Sequence, residues 1–482
     1  MSKSLKVIGV AVVVAGLVVV GGSYATGFFF KSGFQSHLER ENLELQARSG
    51  DKVGIQLERY EHGLFGATAR TRVMAGPVAV LFINHDIRHG LGTGFRAYGK
   101  VHSEVALPQE VSIAMNALFG GDPLGGQSPL TVESVIGWTG DNRHVIKSPD
   151  FKAKAMGIMN IAWGGIDGDI AVRNGHRDIA WRINLPGFSM KDDKEKVEIG
   201  RLYSKGGIAR AGEHLFWTGQ MALEFDKIAL DIRRKASFPS RFELRNLEFS
   251  TDTRDNDGLV ESTFSIAFDK VAAAGETADA AKLTFAFEQI DADALDAFIK
   301  IVQSLQRKGG SIDPDAFGNA LAAQQSTLAP AFLRRKPVIA LKDSRIRLKQ
   351  GDLRIDARLS YIGENPEQFD SERDLLLEAN GGMSRALLAH LATSKMKDSF
   401  NAAIDDEAID EALTEEMIGE LAAQLVDQQI TELINQGYLI EKDGLLTATL
   451  RFQGATMTLN GKPWDENENL FPPMLLPNAP LP

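Results

Sequence analysis

Two histidines four residues apart, with a carboxylate between them, open the search for chemistry in this chain: His85-Asp86-Ile87-Arg88-His89. On a helix that spacing would put both imidazoles on one face and suit a zinc ion. The neighbours argue against a helix, since Ala79-Val-Leu-Phe-Ile83 reads as strand and Gly90, Gly92 and Gly94 follow at once. On a strand, which rises about 3.3 Å per residue, His85 and His89 share a side but stand about 13 Å apart. The expectation is turn-stabilising hydrogen bonds, with Asp86 and Arg88 as local partners, rather than a metal pair.

Other candidates are incomplete in the same way. Gly90-Leu-Gly-Thr-Gly94 has the glycines of a phosphate loop without its helix or its basic residue, and reads as a tight turn. Gly164-Gly165 with Asp167 and Asp169 lacks calcium-loop spacing and the closing Glu, and reads as a strand turn. Asp405, Asp406, Glu407, Asp410, Glu411, Glu415 and Glu416 read as a solvated helix face, with a docking patch as the alternative. Gly-x-Ser-x-Gly, Ser-x-x-Lys and His-Glu-x-x-His do not occur. The chain has no cysteine, which excludes disulfides, thiol catalysis and cysteine-held metals. No catalytic residue, metal ligand or cofactor is expected. A binding role is favoured over an enzyme; a hydrolase assembled from distant loops is the alternative.

What must position any site is mostly strand. Val53, Ile55 and Leu57, then Ala67 to Val73, then Val78, Val80 and Phe82 alternate with polar residues between Gly-rich turns. Ile179, Trp181, Ile183 and Leu185 form a strand that stops at Pro186-Gly187. Leu215, Trp217, Met221, Leu223 and Phe225 mark a long strand whose apolar stripe is the candidate face for a ligand or partner, core packing being the alternative. Phe242 and Leu244 give way to Leu247 and Phe249, a phase change that predicts a β-bulge. Helices come late: Asp293 to Leu305, part of 308–335, a short one after the cap Ser384, and Ile404 to Gln436. The last carries a predicted buried stripe of Met417, Leu421, Leu425, Ile430, Leu433 and Ile434. Asp443-Gly444 and Asn460-Gly461 mark closing hairpins.

A chain of 482 residues exceeds what one core serves, so more than one lobe is expected. Val7 to Phe30 carries no charge and, as a helix, would reach about 36 Å, enough for a membrane span. Lys3 and Lys6 before it favour a cytoplasmic amino terminus. A retained anchor is favoured; the alternative is a signal peptide cleaved near Ser23-Tyr24-Ala25. The expected fold is α+β: an N-terminal transmembrane helix, then a large, mostly antiparallel β-sheet body with C-terminal helices packed on it. Its parts would be an anchor (1–32), a β-rich periplasmic lobe (33–290), an α+β periplasmic lobe (291–465) and a flexible Pro-rich tail (466–482). The expected location is the bacterial inner membrane, single-pass, with the bulk periplasmic. The lipid bilayer would be met through residues 7–30. Ala11 and Ala15 permit close helix packing in a homodimer. With 53 basic against 64 acidic residues the net charge is -11, which excludes nucleic acid as a main partner.

Several segments together carry a resemblance. Tyr60-Glu-His-Gly63-Leu-Phe65, His85 through His89-Gly90-Leu91, Trp163-Gly-Gly-Ile-Asp-Gly168 and Met457-Thr-Leu-Asn-Gly-Lys-Pro463 resemble, in order, segments of the YdgA-like family, bacterial inner-membrane-anchored proteins with a domain of unknown function. Leu91 departs from that family's usual Pro. The resemblance implies an anchored, β-rich cell-envelope protein without established catalytic residues, in which Tyr60, Gly63, Phe65, His89 and Gly90 are structural. The expected function is non-enzymatic binding of a lipid-like ligand or an envelope partner protein. The alternatives are the hydrolase already named and a structural scaffold acting as a homodimer.

Overall fold

The computed structural model describes residues 31–36, 38–39, 42–43, 46, 52–94, 96–232, 241–273, 276–306, 314–405, 415–454 and 456–464. The chain divides into two units, Met1–Arg241 with Asp296–Ala323, and Phe242–Leu295 with Gln324–Pro482.

In the first unit the alternating runs form β1 (Val53–His62), β2 (Gly66–Ala75), β3 (Val78–His89), β4 (Gly99–Ala106), β5 (Thr131–Ile136), β6 (Asn142–Ser148) and β7 (Phe151–Ala155). They continue as β8 (Met159–Trp163), β9 (Ile166–Arg173), β10 (Asp178–Leu185), β11 (Phe188–Lys191), β12 (Glu195–Ile199), β13 (Leu202–Arg210) and β14 (Trp217–Ile232). An early helix, α1 (Gln109–Phe119), stands between β4 and β5, where the sequence reading placed none. β1 to β6 pair consecutively as an antiparallel meander, and β9, β10, β13 and β14 extend it. β7, β8, β11 and β12 pair in that order alongside and end on the second half of β14.

β6/β7, β8/β9, β10/β11 and β12/β13 are therefore long strands, each broken once at the same level. The breaks are Pro149-Asp150, Gly164-Gly165, Pro186-Gly187 and Gly200-Arg201, with Asp226-Lys227 beside them on β14. Gly164 N donates to Gly187 O at 2.8 Å, Gly200 N to Lys227 O at 2.7 Å and Asp226 N to Arg201 O at 2.9 Å, so the breaks join into one crease. Proline withholds the ladder donor, and glycine admits the backbone that results. Gly165 has φ +81°, and a Cβ there would lie 2.6 Å from Ser148 O. β10 ends at Leu185, before Pro186-Gly187, as the sequence reading had it, and Gly164-Gly165 separates β8 from β9. Beyond each break the pairing resumes in register with the neighbouring strands.

The apolar positions shift by one residue at the crease. On β10/β11, Trp181, Ile183 and Leu185 give way to Phe188 and Met190; on β14, Met221, Leu223 and Phe225 give way to Ile228 and Leu230. Trp163 Nε1, beyond the crease, donates to Ser148 Oγ before it at 3.0 Å, so the two apolar sets share one side of the sheet.

The second unit is also a meander: β15 (Arg241–Asn256), β16 (Leu259–Phe268), β17 (Lys270–Ala273), β18 (Glu276–Asp291), β19 (Val338–Leu348), β20 (Gly351–Tyr361) and β21 (Leu375–Met383), closed by β22 (Ile440–Lys442), β23 (Leu445–Gln453), β24 (Thr456–Leu459) and β25 (Lys462–Trp464). The phase change expected between Phe242 and Phe249 sits at Asn246, φ 49°, whose Nδ2 donates to Asp269 Oδ2 at 2.6 Å. Its partner strand is interrupted at the same place, between β16 and β17, so pairing continues on both sides.

Helices α2 (Ala292–Gln306) and α3 (Pro314–Leu333) follow β18 in the chain, and α4 (Arg385–Asp405) and α5 (Glu415–Asn435) follow β21. Leu387 N bonds Ser384 Oγ at 3.3 Å, the expected cap, although α4 is 21 residues rather than short. α4 and α5 bury Met396, Ile418, Ala422, Val426 and Ile430 with Leu446 of β23. The expected stripe of α5 holds in its second half, where Ile430 and Leu433 are buried and Leu425 and Ile434 pack on the core, but not in its first half, where Met417 and Leu421 are exposed and Ile418 and Ala422 are inside. At the start of α5 both choices are apolar and run at helical spacing, and packing against α4 selects Ile418 and Ala422 there.

The expected transmembrane segment, residues 7–30, lies outside the described residues, as do the tail 466–482 and most of the acidic run. Among the described residues no helix is long and apolar enough to cross a membrane. The longest, α4 and α5 at 21 residues each, carry charges such as Arg385, Lys395, Glu420 and Asp427, whereas a span needs about 20 nearly uncharged residues. The fold class is corrected accordingly to mostly antiparallel β-sheet with interposed helices. The single-pass, inner-membrane, periplasmic placement is corrected likewise: no described helix supports it.

Candidate functional site

Strand register in the first unit lays apolar side chains in rows across the sheet. Ile170, Trp181, Gly206 and Met221 are paired in sequence from β9 to β14, and so are Gly168, Ile183, Ser204 and Leu223. Leu185, Leu202 and Phe225 form a third row. Beyond the crease the rows continue with Phe151, Trp163, Phe188, Ile199 and Ile228, then Ala153, Ile161, Met190, Val197 and Leu230. Trp181 Nε1 donates to Ser204 Oγ at 2.9 Å, which satisfies the indole while its rings lie over Gly206. Gly206 has no side chain to hold them off.

In a two-layer domain, large apolar side chains at the centre of such a sheet are covered by a second layer. Here none of the large ones in these rows is fully buried: Trp163, Trp181, Phe188, Leu223 and Phe225 are half-buried, and Met221 is 45% exposed. Of the stripe expected from the sequence, Trp217, Met221, Leu223 and Phe225 occupy alternate positions of β14 and share its face. Leu215 does not, because it lies in the turn before β14 with its N–H on Asp296 Oδ1 at 2.7 Å.

The other expected residues come together at the opposite end of the meander. Tyr60 ends the core side of β1, packing with Ala67, Ala69, Ile87 and Val101, and its ring lies 6.0 Å from that of Phe34. Gly63 N bonds Gly66 O at 2.8 Å and closes the β1–β2 turn. The carbonyl of Phe65 accepts from His89 N at 3.2 Å, and Gly92 passes close to that carbonyl. Gly90, φ 54°, starts a single 3-10 turn that Thr93 Oγ1 closes by donating to Gly90 O at 2.8 Å. Tyr60, Gly63, Phe65, His89 and Gly90 thus build one junction between two turns.

His85 and His89 both belong to β3 and do not converge. His85 bonds Thr71 Oγ1 at 3.1 Å and Ser103 Oγ at 2.8 Å from the neighbouring strands, with the Phe34 ring edge-on at 5.3 Å. These replace Asp86 and Arg88, the partners expected from the sequence. Burial lowers the His85 pKa to about 4, so the ring is neutral at pH 7. His89 is buried with its ring stacked at 5.7 Å on His62. Asp169 is held by Arg143, with Nε to Oδ2 at 2.9 Å, and the bond depresses its pKa. Among the described residues, no three His, Cys, Asp or Glu side chains are grouped to hold a metal.

Sequence reasoning missed two histidine–carboxylate groupings. His214 Nδ1 lies 3.0 Å from Asp296 Oδ2, with its ring stacked on Phe216. His102 bonds Glu104 at 2.8 Å and also Glu133, and these bonds raise its pKa. Residues 82 apart in the chain leave no local pattern, so only the fold reveals the first pair.

In the first unit the crease and the strand register together set large, half-buried apolar side chains in rows on one side of an antiparallel sheet. The chain belongs to the family of bacterial proteins of unknown function described as DUF945, whose model matches residues 1–467. No curated protein and no solved structure matches it.

Proposed function

We propose that the first unit binds an extended apolar ligand of the lipid class along the creased face of its sheet, without transforming it. The observation that carries this reading is the set of rows from Ile170 to Met221 and from Trp163 to Ile228, whose large apolar side chains stay half-exposed at the middle of the sheet. Crossing five strands, a row is about 19 Å long at about 4.8 Å per strand, the dimension of a long hydrocarbon chain. Burial of a methylene contributes about 0.8 kcal/mol, so a chain laid in such a row has a large driving force without specific polar contacts. Both apolar sets lie on one side of the sheet across the crease, so a flexible chain can meet both at once.

The test is titration of the full chain with a fluorescent polyene fatty acid, followed by displacement with unlabelled amphiphiles. Met221→Glu is exposed and tolerable for the fold; it is expected to weaken binding about tenfold or more by placing a charge against hydrocarbon. Equal affinity in the variant and the parent, with both folded, would overturn the reading.

A further inference from the structure

Lys282, Arg345 and Arg354 stand side by side on β18, β19 and β20: Lys282 is the direct cross-strand partner of Arg345, and Arg345 of Arg354. Opposed residues on antiparallel strands share a face with Cβ atoms about 5 Å apart, and like charges so placed destabilise a sheet. All three are exposed, and among the described residues none is held by an ion pair or hydrogen bond. Three nearby carboxylates have other partners. Asp352 takes Arg347 Nε at 2.9 Å, Asp356 takes the N–H of Asp343 at 2.6 Å, and Asp269 takes Asn246 Nδ2 at 2.6 Å.

The three cations, the Arg347–Asp352 pair and Asp269 line a cleft of about 290 Å³ beside Ala267 and Ala280, so cations outnumber carboxylates in its lining by four to two. This concentration of positive charge sits in a chain whose net charge is -11, so it is a local feature and not part of a generally basic surface. A carboxylate is matched by one guanidinium fork. Two forks and an ammonium in a line match an oxyanion with more charge and more oxygens; a phosphate monoester carries about -1.5 to -2 at pH 7 and three acceptor oxygens.

We propose that this cleft binds a phosphate group, either of a small free phosphate or of a phosphate-headed amphiphile. The site lies on the second unit and stands independently of the apolar-ligand reading. Loss of Met221-dependent lipid binding would leave it untouched.

Calorimetric titration of the full chain in chloride buffer, with inorganic phosphate, glycerol 3-phosphate and lysophosphatidic acid as separate probes, tests it. At least one probe is expected to bind, with affinity falling as salt is raised. Arg345→Gln and Arg354→Gln should each weaken that binding about tenfold, because each removes charge-assisted hydrogen bonds. In phosphate-free buffer both variants should melt at or above the parent's temperature, since a mutual repulsion has gone. Binding confined to lysophosphatidic acid assigns the group to a lipid headgroup, and comparable binding of all three assigns it to a free phosphate. Failure of every probe to bind, or undiminished binding in both folded variants, would overturn the proposal.

Discussion

His85 couples this fold to pH with a definite sign. Its folded pKa, lowered to about 4 by burial, lies below the ordinary value of 6.5. Between those values the unfolded chain binds a proton that the folded chain does not, so stability falls as pH falls from 6.5 and the loss is complete near 4. The effect is at most about 3 kcal/mol. His85→Gln, which can still bond Thr71 and Ser103, is expected to flatten this part of the profile in urea unfolding followed between pH 4 and 7. An unchanged pH slope would contradict the buried, neutral assignment. The sequence had already separated His85 from His89 through the strand-like residues before them. It could not name Thr71 or Ser103, because cross-strand partners 14 and 18 residues away leave no local trace.

At the scale of elements, the crease and the α4–α5 pair make opposite kinds of demand. Gly165→Ala puts a Cβ against Ser148 O in a left-handed backbone, and a loss of about 1–3 kcal/mol is expected by chemical denaturation. Gly175, φ +63°, has open space around it, so Gly175→Ala isolates the backbone part at about 1 kcal/mol. Ala422 is fully buried between the helices, and Ala422→Leu should cost about 1–3 kcal/mol by overpacking, whereas Leu421→Ala, on the exposed side, should fall within about 0.5 kcal/mol of the parent. Reversed costs at 421 and 422 would restore the stripe expected from the sequence. Strand content was legible because alternation is local, and the phase change at Asn246 was legible for the same reason. The end of β10 at Pro186-Gly187 was legible too, but each break was visible only by itself. The crease exists through the register of neighbouring strands, which no single strand encodes.

At the scale of the whole molecule, membership in the bacterial DUF945 family fixes ancestry along residues 1–467 and leaves activity to physical argument. The largest correction concerns the membrane placement that was expected from the leading apolar stretch. Its length and lack of charge are properties of residues 7–30 alone, and the described helices offer no substitute for a membrane span. The apolar stripe on β14 was legible as a face, whereas the half-exposure of its side chains was not, because exposure depends on what else packs against it. Native mass spectrometry of the full chain, purified without detergent and compared with its denatured mass, measures occupancy of that face most directly. The expected result is an adduct of amphiphile mass that is retained by the parent and depleted in Met221→Glu. A bare polypeptide mass for the parent, with no uptake of added fatty acid, would contradict the binding function.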